Sequence, residues 1–251
     1  MSKILVEVCC GGIEDVLTAA HCGADRVEFC QALPLGGLTP SFGTFLKARE
    51  HTAIPMMVMI RPRAGAFCYS EHEFEAMLKD VELFVNSGAE GIVCGCLTPD
   101  GQIDLERGRM LRQAAGTATL VFHRAFDVCA QPWQALEELI SLGFNRILTS
   151  GRAAAAPQGA EFLRELHGRA AERIELVAGA GIHAGNALEL LASTGLRQLH
   201  LSASGLKEDS SAGHNPAIRF GAGEDQTSTY PATDPVKLQA ILEQVKGAIY
   251  V

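Results

Sequence analysis

Short apolar runs alternate with longer helix-patterned stretches eight times along the 251-residue chain, and that alternation constrains the fold more than any other feature. Strands are predicted over Ile4–Cys9, Arg26–Cys30, Pro55–Arg61, Gly91–Cys94, Ala118–His123, Arg146–Thr149, Glu175–Ala178 and Gln198–Ser202. Helices are predicted between them, among others over Ile13–Cys22, Glu71–Ser87, Pro132–Leu142 and His183–Ser193. Gly23, Gly88, Gly143 and Gly195 suit left-handed helix caps, and each is soon followed by the next strand. The pattern predicts an α/β fold, a (β/α)8 TIM-type barrel forming one domain over residues 1–251. An open doubly wound sheet would carry a GxGxxG turn after its first strand, whereas here Cys9-Cys10-Gly11-Gly12-Ile13 follows.

One segment breaks the alternation. Residues 203–233 are polar and rich in glycine and serine, too long for a plain connection. Leaving strand eight on the face where barrels do chemistry, the segment is expected to be a lid, with a disordered tip around Lys207–Gly213 as the alternative.

Composition limits the partners. With 21 basic and 29 acidic residues the formal net charge is −8, which disfavours nucleic acid and anionic lipid surfaces. No apolar run approaches the ~20 residues needed to cross a bilayer. The N-terminus runs straight into strand one without a signal-peptide pattern, so a cytoplasmic location is expected. Eight cysteines without a CxxC pair fit reduced thiols better than a disulfide or zinc framework. The expected partner is a small molecule or a metal ion, and a homodimer or higher homo-oligomer is expected from the fold class.

Strand parity selects the side chains inside the barrel. Val6, Val8, Val27, Phe29, Val58, Ile60, Leu199 and Leu201 form apolar rows that must face the helices. Glu7, Cys9, Glu28, Cys30, Met57, Met59, Arg61, His200 and Ser202 therefore point inward, and His123 joins them with Val121. Unpaired buried charge is costly, and Arg61, on the strand beside Glu28, is the expected partner of that carboxylate.

A set of segments in fixed order gives the chain a family resemblance. They are Val6-Glu7-Val8-Cys9, Gly23-Ala24-Asp25-Arg26-Val27-Glu28-Phe29-Cys30, Gly36-Gly37-Leu38-Thr39-Pro40-Ser41 and Met59-Ile60-Arg61-Pro62-Arg63. Phe67-Cys68-Tyr69-Ser70, Phe122-His123-Arg124-Ala125-Phe126-Asp127 and Arg146-Ile147-Leu148-Thr149-Ser150-Gly151 complete it. In these the sequence resembles the CutC copper-homeostasis family. The resemblance implies a (β/α)8 barrel, a cytoplasmic role in copper binding or trafficking, and Cys9 and Cys30 as copper ligands. Ala66, the Cys94-Gly95-Cys96 triplet and the loosely matched Pro216-Ala217-Ile218-Arg219 depart from the family pattern.

Two chemistries suit the inward residues. Soft thiolates select copper(I), and Cys9 and Cys30 stand on adjacent strands ~4.8 Å apart. The other chemistry is acid–base work on a small anionic or sugar-like metabolite. Glu7 and Glu28 would act as general acid and base beside Arg61, His123 and His200 would shuttle a proton or polarise a carbonyl, and Asp127 would orient His123 or bind a hydroxyl. Thr149 and Ser150 after strand six, Gly179 and Gly181 after strand seven and Ser202 after strand eight would bind an anion or phosphate. No lysine ends a strand, which disfavours a Schiff-base aldolase.

Overall fold

A computed structural model describes residues 3–212, 214–215, 218 and 229–247. The predicted alternation is there. Eight parallel strands, β1 (Leu5–Cys10), β2 (Arg26–Phe29), β3 (Met56–Met59), β4 (Gly91–Cys94), β5 (Thr119–Phe122), β6 (Arg146–Thr149), β7 (Glu175–Gly179) and β8 (Gln198–Leu201), form the sheet. Pairing of β8 back onto β1, with Glu7 beside His200 and Val6 beside Leu199, closes it into a barrel and rules out the open sheet. Helices α1 (Ile13–Cys22), α2 (Phe42–His51), α3 (Glu71–Asn86), α4 (Leu105–Ala115), α5 (Pro132–Ser141), α6 (Ala160–Ala170), α7 (Ala187–Thr194) and α8 (Pro235–Gly247) surround it. None of the described helices is long and apolar enough to cross a membrane.

Local chemistry explains the helix limits. Ser70 and Glu73 form a reciprocal capping box at the start of α3, and Gly23 and Gly195 end α1 and α7 in left-handed geometry. The predicted helix from His183 begins only at Ala187. Asn186 first turns the chain, its side-chain oxygen accepting the His183 N–H at 2.9 Å, and His183 stays in the loop.

Strand parity divides the apolar residues into two cores. Val6, Val8, Val27, Phe29, Val58, Ile60, Leu120, Phe122, Leu199 and Leu201 pack outward against the helices. Cys30, Met57, Met59, Val93, Val121, Leu148 and Val177 fill the barrel, with Cys9 and Leu33 at its upper edge. Cys94 and Cys96 belong to the outer core.

The 203–233 segment has structure at both ends. Strand β9 (Ser204–Glu208) pairs antiparallel with β10 (Thr229–Thr233). Lys207 and Glu208 of the expected tip are strand residues, while Gly213 and most of the Pro216–Arg219 stretch lie outside the described residues. Asp15 on α1 anchors the hairpin base: its carboxylate accepts the Thr233 N–H at 2.7 Å and the Gly11 N–H at 2.9 Å.

Candidate functional site

The C-terminal ends of the strands open into a cavity of about 770 Å³. Glu28, Cys9 and His200 line one side, His123, Arg61 and Phe67 another, and Gly181, His183, Ser202 and Pro231 border the mouth.

Beneath the cavity lies a buried polar floor. Arg26 donates from Nε to Glu7 Oε2 at 2.5 Å and from Nη2 to Gln198 Oε1 at 2.7 Å. Arg146 pairs with Glu175 at 2.6 Å and reaches Met57 Sδ at 3.8 Å. Glu7 Oε1 lies 2.8 Å from His200 Nδ1, and His200 Nε2 lies 3.8 Å from Glu28 Oε2. Burial alone would push the Glu7 pKa up, but Arg26, His200 and Arg146 outweigh it and hold the carboxyl well below the usual range. Burial opposes charging His200, yet Glu28, Cys9 and Glu7 outweigh it and raise its pKa well above the ordinary value. The charged form of His200 is thus favoured by the Glu7 and Glu28 carboxyl groups on either side of it. Glu28 goes the other way: burial raises its pKa, and the Glu7 charge adds to the rise against His200.

This floor corrects two expectations. Glu7 does not line the cavity; it fixes His200 from below. Arg61 is not the partner of Glu28. Its guanidinium donates to three backbone carbonyls instead, those of Leu35 and Gly37 at 2.9 Å and Gly65 at 2.7 Å. Arg61 stands two residues beyond β3, and at that height the nearest acceptors belong to loops. Among the described residues no carboxylate lies within ion-pair distance of it, although it is buried.

Asp127 is likewise occupied. Its carboxylate accepts Thr149 Oγ1 at 2.5 Å, Ser150 Oγ at 2.9 Å, the Ser150 N–H at 3.0 Å and Arg124 Nε at 2.8 Å. Thr149 and Ser150 are fully buried and tie the end of β6 to the turn after β5 rather than facing a ligand, and Asp127 does not orient His123. Gly179 is a packing position, because a Cβ there would come within 2.7 Å of Leu148 Cδ1. Gly181, at φ 68, and Ser202 do reach the cavity rim.

His123 is held as a neutral ring. Burial and the Arg61 charge bring its pKa down to about 3. Its ring packs 4.8 Å from Phe67, and Gly95 leaves it room, since a Cβ there would lie 2.7 Å from the imidazole.

The thiols meet as parity predicts. Cys9 Sγ lies 3.7 Å from Cys30 Sγ and 3.4 Å from Glu28 Oε2. The Cys30 contact, burial and the Glu28 charge raise the Cys9 pKa well above its ordinary value. The Cys30 value also rises, because burial and Glu28 outweigh the bond from Cys9. Met59 also lines the cavity. Cys9, Glu28 and Cys30 converge closely enough to hold one metal ion, and so do Glu7, Glu28 and His200.

Sequence reasoning missed Arg26, Arg146 and Gln198. The signal was available: Arg26 shares the face of Glu28, Arg146 that of Leu148 and Gln198 that of His200.

A closed barrel of eight parallel strands, with a ligand-sized, polar-edged cavity at the C-terminal strand ends, defines a (β/α)8 barrel. The CutC family profile matches residues 4–205, so the chain belongs to the CutC family. Relatives called family protein CutC from Treponema denticola and Pasteurella multocida are each 42% identical, covering 98% and 96% of this chain and 98% of their own lengths. The solved CutC structure from Streptococcus agalactiae, assigned by name to copper homeostasis, superposes with a TM-score of 0.76. It is 33% identical and covers 79% of this chain and 98% of its own.

Proposed function

We propose that this CutC-family barrel is an enzyme performing acid–base chemistry on a small anionic, sugar-like metabolite. One observation carries the reading. Among the described residues five buried side-chain polar atoms have no partner; Arg49 Nε and Tyr69 Oη lie elsewhere, but Glu28 Oε1, His123 Nε2 and Arg61 Nε belong to residues that line one cavity. Leaving a buried donor or acceptor unpaired costs ~1–3 kcal/mol, more when it is charged, so three in one cavity point to a ligand that satisfies them. Arg61 supplies the cation for an anionic group, and Gly181 and Ser202 offer further contacts at the rim. The eight free thiols support a reducing, cytoplasmic setting.

The test is thermal stabilisation by sugar phosphates and sugar acids, compared with the matching neutral sugars. The anions should raise the melting temperature and the neutral compounds should not, with Arg61→Gln, which removes the cation, abolishing the shift. Equal response to neutral and anionic compounds, or none to either, would sink the proposal.

A second reading is favoured by the 3.7 Å approach of two sulfurs. Cys9 and Cys30 would hold copper(I), with Met59 beside them, in keeping with the family's name. The donors are soft and convergent, but both thiols are held protonated, so binding must release two protons. Cu(I) titration against a competing chelator, beside the Cys9→Ser/Cys30→Ser variant, tests it. Binding that survives the double substitution would end this reading.

A further inference from the structure

His123 Nδ1 accepts the Ala125 backbone N–H at 3.2 Å. In a neutral imidazole the nitrogen that accepts carries no proton, so the proton resides on Nε2. Arg61 and burial keep the ring neutral. The unpartnered Nε2, on a residue that lines the cavity, is therefore a neutral N–H donor, braced by Phe67. Glu28 Oε1, from β2, is an unpartnered acceptor, its other oxygen being engaged by Cys9. Arg61, between them on the chain, is a cation without a carboxylate among the described residues.

Building on the acid–base reading, we infer that the substrate is an anionic α-hydroxycarbonyl compound, such as a sugar phosphate or keto sugar acid, and that the reaction moves a proton at the carbon next to the carbonyl. A donor, an acceptor and a cation match the carbonyl oxygen, the adjacent C–H and the anionic end of such a molecule. Glu28 takes the proton, the C–H electron pair forms a C=C bond, and the carbonyl π pair moves onto oxygen as an enediolate. The His123 Nε2–H hydrogen-bonds that oxygen and stabilises its charge, while Arg61 holds the anionic end. Returning the proton to the same carbon epimerises the substrate. Returning it to the neighbouring carbon, while the hydroxyl proton passes to the former carbonyl oxygen, isomerises it. No external oxidant, reductant or co-reactant is needed. A neutral imidazole polarising a carbonyl opposite a glutamate base is the arrangement that triosephosphate isomerase uses for this chemistry.

The cavity disfavours two alternatives. Among the described residues no lysine lines it, which favours activation of the carbonyl by hydrogen bonding over an imine. Most glycosidases use two free carboxyl groups, yet among the described residues Asp127 is filled by Thr149, Ser150 and Arg124 and Glu7 lies beneath the cavity.

The experiment is deuterium wash-in followed by proton NMR in D2O. The probes are ribose 5-phosphate, fructose 6-phosphate and glucuronate, with sorbitol 6-phosphate as an anion lacking a carbonyl. Binding of each is measured in parallel by calorimetry. A carbonyl probe should exchange its α-proton at least tenfold faster than in buffer. Glu28→Gln should slow that exchange ~100-fold or more while leaving affinity within a few-fold. His123→Gln, judged by the same readouts, carries the test if the Glu28 variant fails to fold. Binding of the carbonyl probes without exchange above buffer overturns this inference and leaves the anion-binding proposal standing. Failure of every anionic probe to bind, sorbitol 6-phosphate included, overturns both.

Discussion

Cys9 and Cys30 sit 3.7 Å apart, and the protons they carry decide what the pair can do. Because both thiols are raised in pKa, copper(I) must displace two protons, and apparent affinity should rise by up to ~100-fold per pH unit between pH 6 and 8. Removing the neighbouring charge with Glu28→Gln should ease thiolate formation and strengthen copper binding at fixed pH. Chelator competition at three pH values checks both; a pH-independent constant would exclude the thiol pair as the ligands. Glu7 gives a second prediction at this scale. Glu7→Gln leaves Arg26 buried at 6% exposure without its counter-charge and should lower unfolding free energy by ~3–5 kcal/mol in urea titration. Glu7→Leu combined with Arg26→Met, which removes both charges, should recover much of that loss. The inward row of Glu7, Glu28 and Cys30 was legible because Val6, Val8, Val27 and Phe29 are unmistakably outward. The partners were not, since strand adjacency does not give height along the barrel, and Arg61 sits above the strands among loop carbonyls.

Among the elements, the eight strands and their helices were readable because each must bury an apolar row against its neighbours. The β9–β10 hairpin was not. Its glycine, serine and lysine content carries no alternation, and apart from the buried Thr233 its strand residues are exposed or half-buried. What fixes it is a contact remote in sequence, from Asp15 to the Thr233 N–H at 2.7 Å, together with Asp234 N–H to Ala203 O at 2.9 Å. Asp15→Ala should therefore cost ~1–3 kcal/mol and remove hydrogen-exchange protection selectively from residues 229–233. Because Pro231 lines the cavity, anion affinity should fall with it. Unchanged exchange in that stretch would show that the hairpin stands without its anchor.

For the whole molecule, two buried histidines pull stability in opposite directions with pH. His123 has a folded pKa of about 3 against an ordinary ~6.5, so the unfolded chain binds the extra proton between those values. Stability conferred by the neutral ring is complete above ~6.5 and is lost at roughly 1.4 kcal/mol per unit as pH falls toward 3. Glu7, held low by Arg26 and His200 against the effect of burial, adds to the acid loss below the usual carboxylate range. His200 works the other way: its raised pKa stabilises the fold fully below ~6.5, and that contribution disappears as pH climbs through the folded value. A dome of stability centred near neutrality follows. Urea midpoints from pH 4.5 to 9 should show it, and His123→Gln should flatten the limb between pH 6.5 and 4.5 while leaving the alkaline limb intact. Equal acid slopes in the wild type and the variant would mean that His123 is not held neutral. With the slopes as expected, the ring is neutral in the folded barrel at every pH well above about 3, so the Nε2–H donor persists across the whole range from pH 4.5 to 9.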